Sequence, residues 1–166
     1  MSEEDGGGRA PVRIALVGCG RISRSHFDAI GKLDELQLVA VCDAVESRAR
    51  EAGEGQDVPW FTSYARMLEQ APCDVVAVCT PSGLHPQHGI QAARAGKHVV
   101  CEKPMAITLT SADELVQACD DAGVQLFVVK QNRLNPPVQL LRRAIDKGRF
   151  GRIYMANTTL RWTLPQ

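Results

Sequence analysis

The sequence predicts an α/β fold: a doubly wound parallel sheet followed by the start of a second, α+β domain. Three observations predict it. Short apolar runs recur along the first 130 residues, helical patterns with readable ends separate them, and a glycine turn closes the first run. The runs are Val12 to Val17, Leu36 to Cys42, Val58 to Phe61, Val75 to Cys79, His98 to Cys101 and Val124 to Val129. Several are continuously apolar, the pattern of strands covered on both faces, which parallel sheets require.

The intervening helices carry their own punctuation. Ser63 is placed to cap a short helix with Met67 and Leu68 on one side. Gly96 stops the helix that carries Ile90 and Ala93. Thr110 or Ser111 caps a helix whose Ala112, Leu115, Val116, Cys119 and Ala122 share one face, and Gly123 ends it. Asn135 before Pro136 and Pro137 opens another, with Val138, Leu141 and Ile145 inward and Gly148 at its end. Strands alternating with helices imply right-handed crossovers, and hence a Rossmann sheet of order 3-2-1-4-5-6. Residues 1–11 read as a flexible tail, 12–133 as the Rossmann domain, and 134–166 as a linking helix and the first strand of a truncated substrate domain. That strand, Ile153 to Thr163, places Tyr154, Ala156, Thr158, Leu160 and Trp162 on one face. A long exposed edge of this kind needs a partner, from another subunit or from a continuing chain, and truncation is the expectation.

Composition narrows the function classes. The 166 residues are 45% hydrophobic and 23% charged, and 19 basic residues balance 19 acidic ones. That neutrality argues against nucleic acid or a membrane surface as the main partner. No apolar run approaches the ~20 residues that span a bilayer. The first eleven residues lack a basic flank and an apolar core, so no export signal is read and a cytoplasmic location is expected. The six cysteines, Cys19, Cys42, Cys73, Cys79, Cys101 and Cys119, form no C-x-x-C pair and sit mostly in apolar runs. They read as reduced, buried thiols rather than metal ligands. His85 and His88 alone are too few for a metal site. His26 reads as a helix-surface residue.

Three loops carry the chemistry. The first is Gly18-Cys19-Gly20-Arg21-Ile22-Ser23, between a strand and a helix. Gly18 permits a tight turn and Gly20 lets the backbone approach a pyrophosphate, so Gly18, Gly20, Arg21 and Ile22 are candidate cofactor contacts. Ser23 replaces the usual third glycine or alanine. Asp43 ends the second strand, 23 residues beyond Gly20. A carboxylate there accepts hydrogen bonds from ribose hydroxyls and repels a 2′-phosphate, favouring NAD over NADP. The same residue is also a good cap for a helix over Ala44 to Arg50.

The second loop is Thr80-Pro81-Ser82-Gly83-Leu84-His85 after the fourth strand, which the strand order sets beside the first. Thr80, Pro81 and His85 are candidate cofactor contacts, and His85 is equally a cap of the next helix. The third is Glu102-Lys103-Pro104 after the fifth strand. Glu102 is placed for the ribose. Lys103 is placed to take a hydroxyl proton while hydride leaves for nicotinamide, or else forms a surface ion pair with its neighbour.

Together G-C-G-R-I-S at 18–23, Asp43, T-P-S-G-L-H at 80–85 and E-K-P at 102–104 resemble the Gfo/Idh/MocA oxidoreductase family, over residues 12 to 166. The resemblance implies that Lys103 is catalytic and that Pro104 follows a cis bond. A narrower similarity covers Phe127 to Arg133 and Gly148 to Met155, and the stretch holding Trp162, Pro165 and Gln166. It is to the UDP-N-acetyl-2-amino-2-deoxy-glucuronate dehydrogenases, which oxidise C3 of a UDP-linked N-acetylated glucuronic acid on the way to bacterial surface polysaccharide. It implies a UDP-sugar substrate, with Arg133 and Trp162 on the substrate side. It also implies a homo-oligomer at full length and a second catalytic histidine beyond residue 166. Two other readings stand beside it. One is an inactive NAD-binding module, and the other is a relative acting on another sugar or a polyol such as inositol.

Overall fold

Six short strands pair in parallel as one sheet in the computed structural model, which describes residues 10–159 and 161. They are β1 (Val12–Val17), β2 (Leu36–Cys42), β3 (Trp60–Phe61), β4 (Val75–Val78), β5 (His98–Cys101) and β6 (Leu126–Val128). Their order is β3-β2-β1-β4-β5-β6, the order the alternating pattern predicts. The helices between them are α1 (Ser23–Ile30), α2 (Glu46–Gln56), α3 (Tyr64–Gln70), α4 (His85–Arg94) and α5 (Leu109–Asp121).

The continuous apolar runs acquire their meaning here. Along β1, Ala15 and Val17 enter one core, with Met67 of α3, Ala92 and Ala93 of α4, and Leu115 and Cys119 of α5. Ile14 and Leu16 enter the other, with Ile30 of α1 and Val41 and Ala77 from neighbouring strands. Successive side chains point to opposite faces, and both faces are covered, so neither face is polar. Fully burying one such aliphatic side chain contributes roughly 1.5–3 kcal/mol. Both edges are very short strands, which limits what they offer for pairing with another chain.

Ser63 caps α3, accepting from the Arg66 N–H as its position predicts. The cap of α5 is Thr108, not Thr110 or Ser111. Thr108 is extended (φ −133°, ψ 155°) and its hydroxyl accepts from the Ser111 N–H, which places Thr110 and Ser111 inside the first turn. The third strand is shorter than predicted because Pro59 has no amide to give a ladder. Asp43 does not cap the following helix. Val45 holds that position, and Asp43 instead accepts from the Val45 N–H in a turn of its own (2.8 Å).

The chain divides into two compact units, Met1–Val129 and Lys130–Gln166. The second holds a 3-10 turn (Gln131–Leu134) and α6 (Pro136–Asp146). The inward face predicted for α6 is not buried. Val138, Leu141 and Ile145 are 41–51% exposed, because no element of their unit covers them fully. Leu141 and Ile145 line a shallow groove with Phe150, Ile153 and Met155. The predicted strand from Ile153 is also absent among the described residues, since residues 152–159 find no ladder partner. Leu160 and residues 162–166, with Trp162, lie outside the described residues. Among the described residues no helix is long and apolar enough to cross a membrane.

One surface pair ties the sheet's other end together. Arg13 of β1 meets Asp74, just before β4, through its guanidinium (2.6 and 3.0 Å) and its backbone N–H (3.0 Å). These hydrogen bonds hold the Asp74 carboxyl at about 2, below the usual carboxylate range. A depressed carboxyl stabilises the fold above its unfolded value, ~3.9, and that contribution is lost as pH falls through the folded value. The wild-type chain is therefore expected to exceed Asp74→Asn in urea midpoint at neutral pH. The gap should close between about pH 4 and 2 and shrink in salt, because both side chains are partly exposed. A gap independent of pH would show that the charge contributes nothing.

Candidate cofactor site

The carboxyl ends of β1, β2, β4 and β5 bring the three predicted loops to one sheet edge. At the first, Gly18 has φ +97°, and a Cβ there would lie 2.6 Å from the Cys79 carbonyl carbon and the Thr80 nitrogen. Only glycine lets β1 turn this close to the end of β4. Gly20 meets nothing within 4 Å on the side where a Cβ would stand. Ser23 folds inward, 2% exposed, and its hydroxyl donates to the Gly20 carbonyl at 2.6 Å. No side chain caps α1, and the N–H groups of Gly20, Arg21 and Ile22 make no hydrogen bond to the described residues. An open glycine face beside a row of free N–H donors at a helix start is a cradle for a phosphate group. The residues present therefore fit a dinucleotide pyrophosphate.

The electrostatics agree with an anion. Burial, reinforced by the Asp43 charge, pushes the Cys19 thiol up to about 12, so no thiolate stands in the turn to repel phosphate. Arg21, Arg24 and Arg48 line a cleft of about 640 Å³ beside the turn. That cleft lies on the α1–α2 side, and neither Thr80 nor Lys103 lines it. Asp43, half-buried at the end of β2, accepts from the Cys19 N–H through its second oxygen (2.9 Å). It thus links the glycine turn to the loop after β2.

The second and third loops are joined to each other. His85, the first residue of α4, is 2% exposed. Its Nε2 lies 2.7 Å from the Thr80 carbonyl and its Nδ1 2.7 Å from the Pro104 carbonyl. Both ring nitrogens are committed to backbone, so His85 braces the two loops against each other. The Thr80 hydroxyl meets His88 Nδ1 (3.0 Å). Burial, with His85 alongside, lowers the His88 pKa. The Lys103–Pro104 bond is cis. Lys103 is exposed, and its ammonium forms no ion pair among the described residues, so it does not pair with Glu102. Glu102 is 6% exposed. Its carboxylate accepts from the Lys103 N–H (3.1 Å) and lies 2.9 Å from His26 Nε2.

His26 is the residue that the sequence reading missed. It is not a helix-surface residue but a partly buried partner of Glu102, 76 positions away. The available signal was its spacing: His26 stands three residues after Ser23, on the same face of α1, and that face packs inward. Arg133 belongs to the other unit.

These features define the dinucleotide-binding domain of an oxidoreductase. Residues 12–130 match the Gfo/Idh/MocA family, described as "Oxidoreductase family, NAD-binding Rossmann fold". The chain belongs to that family through its NAD-binding domain. It is similar to the crystal structure of the WlbA dehydrogenase from Bordetella pertussis in complex with NADH and UDP-GlcNAcA. The identity is 48% with a TM-score of 0.85, over 87% of this chain and 44% of that one. It is 36% identical to the D-apiose dehydrogenase of Paraburkholderia graminis, over 89% of this chain and 40% of the relative. It is 33% identical to the inositol 2-dehydrogenase of Rhizobium meliloti, over 90% and 45%. The chain thus spans less than half the length of these relatives.

Proposed function

We propose that this chain is the NAD-binding part of a dehydrogenase that oxidises C3 of a UDP-linked N-acetylated glucuronic acid. The observation that carries the substrate class is the 48% identity to a dehydrogenase crystallised with NADH and UDP-GlcNAcA, against 36% and 33% for relatives acting on free sugar or polyol.

The chain's own residues divide the work. The free N–H groups of Gly20, Arg21 and Ile22 bind the pyrophosphate, and Asp43 receives the adenosine ribose hydroxyls. Thr80 and Pro81 form one wall of the crevice, and Glu102 sets the backbone beneath Lys103. NAD, when bound, supplies the hydride acceptor. Lys103, as the free amine, takes the proton from the substrate hydroxyl, and the ammonium so formed, exposed and without an ion pair, passes that proton to solvent. Arg133 and Trp162 are proposed on the substrate side.

The test is a spectrophotometric panel of UDP-GlcNAcA, D-apiose and myo-inositol on the complete product of the gene encoding these residues. UDP-GlcNAcA is expected to give the highest kcat/KM. Preference for a free sugar or for inositol would keep the family and overturn the substrate. In Lys103→Ala, kcat should fall about 10²–10⁴-fold, the range of general-base contributions, with NAD affinity retained. Near-normal turnover would remove Lys103 from proton transfer.

A further inference from the structure

We infer that His26 and His85 together clamp the turn Glu102–Pro104, and so act as positioning residues for Lys103. The inference rests on the reading of Lys103 as the proton-transfer residue. Two histidines from different elements converge on the two neighbours of one lysine. His26, on α1, reaches the Glu102 carboxylate (2.9 Å), and the other oxygen of that carboxylate receives the Lys103 N–H (3.1 Å). His85, opening α4, reaches the Pro104 carbonyl (2.7 Å). Lys103 is thus fixed on both sides of its backbone, while its side chain is exposed.

Burial makes the clamp stiff. Glu102 and His85 are 6% and 2% exposed, so water does not compete for their hydrogen bonds. A carboxylate buried to this degree is costly unless its oxygens are satisfied, and no buried side-chain polar atom among the described residues lacks a partner. The contacts also register loops against each other. His26 stands one turn after the cradle residues, so it sets the Lys103 turn relative to the pyrophosphate site. His85 also holds the Thr80 carbonyl, which sets that turn relative to the loop after β4. General-base catalysis depends on such placement, because a misplaced group loses rate without losing substrate.

The test uses the chain itself and no turnover. Solvent-exchange NMR reads the Lys103 amide, a thermal scan reads the fold, and NADH titration reads the cradle. In His26→Leu the Lys103 amide is expected to exchange about tenfold faster, the factor that one charge-assisted hydrogen bond controls. Amides of β1 and β4 should keep their protection. His26→Gln places a side-chain N–H near the former Nε2 and should restore slow exchange. His85→Asn keeps a donor near the Nδ1 position, facing Pro104. His85→Gln keeps one near Nε2, facing Thr80. The clamp predicts that Asn protects the Lys103 amide better than Gln. Unchanged Lys103 exchange in His26→Leu and His85→Gln would overturn the inference. So would faster exchange matched at every core amide, since that is plain destabilisation. Failure of Lys103→Ala to slow turnover would instead overturn the proton-transfer reading and leave these exchange results standing.

Discussion

Alanine in place of Gly18 is expected to cost the chain about 2–5 kcal/mol of stability and to abolish NAD binding. Two penalties combine. At φ +97° an L side chain is strained, roughly 1–2 kcal/mol for a left-handed residue. The added methyl would also stand 2.6–2.7 Å from the Cys79 carbonyl group and the Thr80 nitrogen. These are backbone atoms at the end of β4, and they yield only if β1 and β4 separate at the centre of the sheet, a further ~1–3 kcal/mol. For a chain of this length each kcal/mol lowers Tm by about 2–4 °C, so a fall on the order of 10 °C is expected. Gly20→Ala is the control. A methyl there meets nothing within 4 Å, so the fold should be unaffected. It would nevertheless fill the face left open to the pyrophosphate, and NAD affinity should fall tenfold or more. If Gly18→Ala melts with the parent chain, the close approach of β1 to β4 is not what the glycine serves. If Gly20→Ala binds NAD normally, the cradle lies elsewhere.

How far the sequence reveals this arrangement depends on the range of the interaction. β1, β2 and β5 are legible to their terminal residues, because each is an apolar run closed by a residue with a local job: Gly18, Asp43 and Glu102. Ser63 is legible as a cap because a cap reaches only three residues. The three loops are legible as one site because the strand order, once deduced, sets them at one edge. Helical spacing from Ser23 marks His26 as inward-facing, but its partner Glu102 lies 76 positions away and that spacing does not identify it. His85 shows the opposite limit: its loop position offers a cofactor contact or a helix cap, and nothing local to it foretells the two carbonyls that enclose it. The alternation from Ile153 to Thr163 marks residues suited to a half-buried strand. A strand also needs a neighbour's backbone, and the described residues supply none.

Replacing Asp43 should change which dinucleotide the chain prefers. Its carboxylate ties the Cys19 N–H of the glycine turn to the Val45 N–H of the following loop, and the proposed site gives it the ribose hydroxyls as well. In Asp43→Asn the shape is kept, but one oxygen becomes a donor and faces an N–H. A hydrogen bond to a charged group contributes about 1.5–3 kcal/mol, so NAD affinity is expected to fall about 10–100-fold. NADP affinity should fall much less, or rise, because the wild-type carboxylate repels the 2′-phosphate and the amide does not. Asp43→Ser goes further, since it removes the charge and opens space for the phosphate, and NADP should then match or exceed NAD. Added salt should narrow the preference of the wild-type chain and leave that of the serine variant nearly unchanged, because only the former rests on charge repulsion. Calorimetric titration of the three chains with both dinucleotides, beside their melting curves, separates the two roles of this residue. A loss of Tm with an unchanged NAD-to-NADP ratio would mean that Asp43 serves the turn alone. A reversed ratio with Tm retained would mean that the same carboxylate that shapes the turn also selects the cofactor.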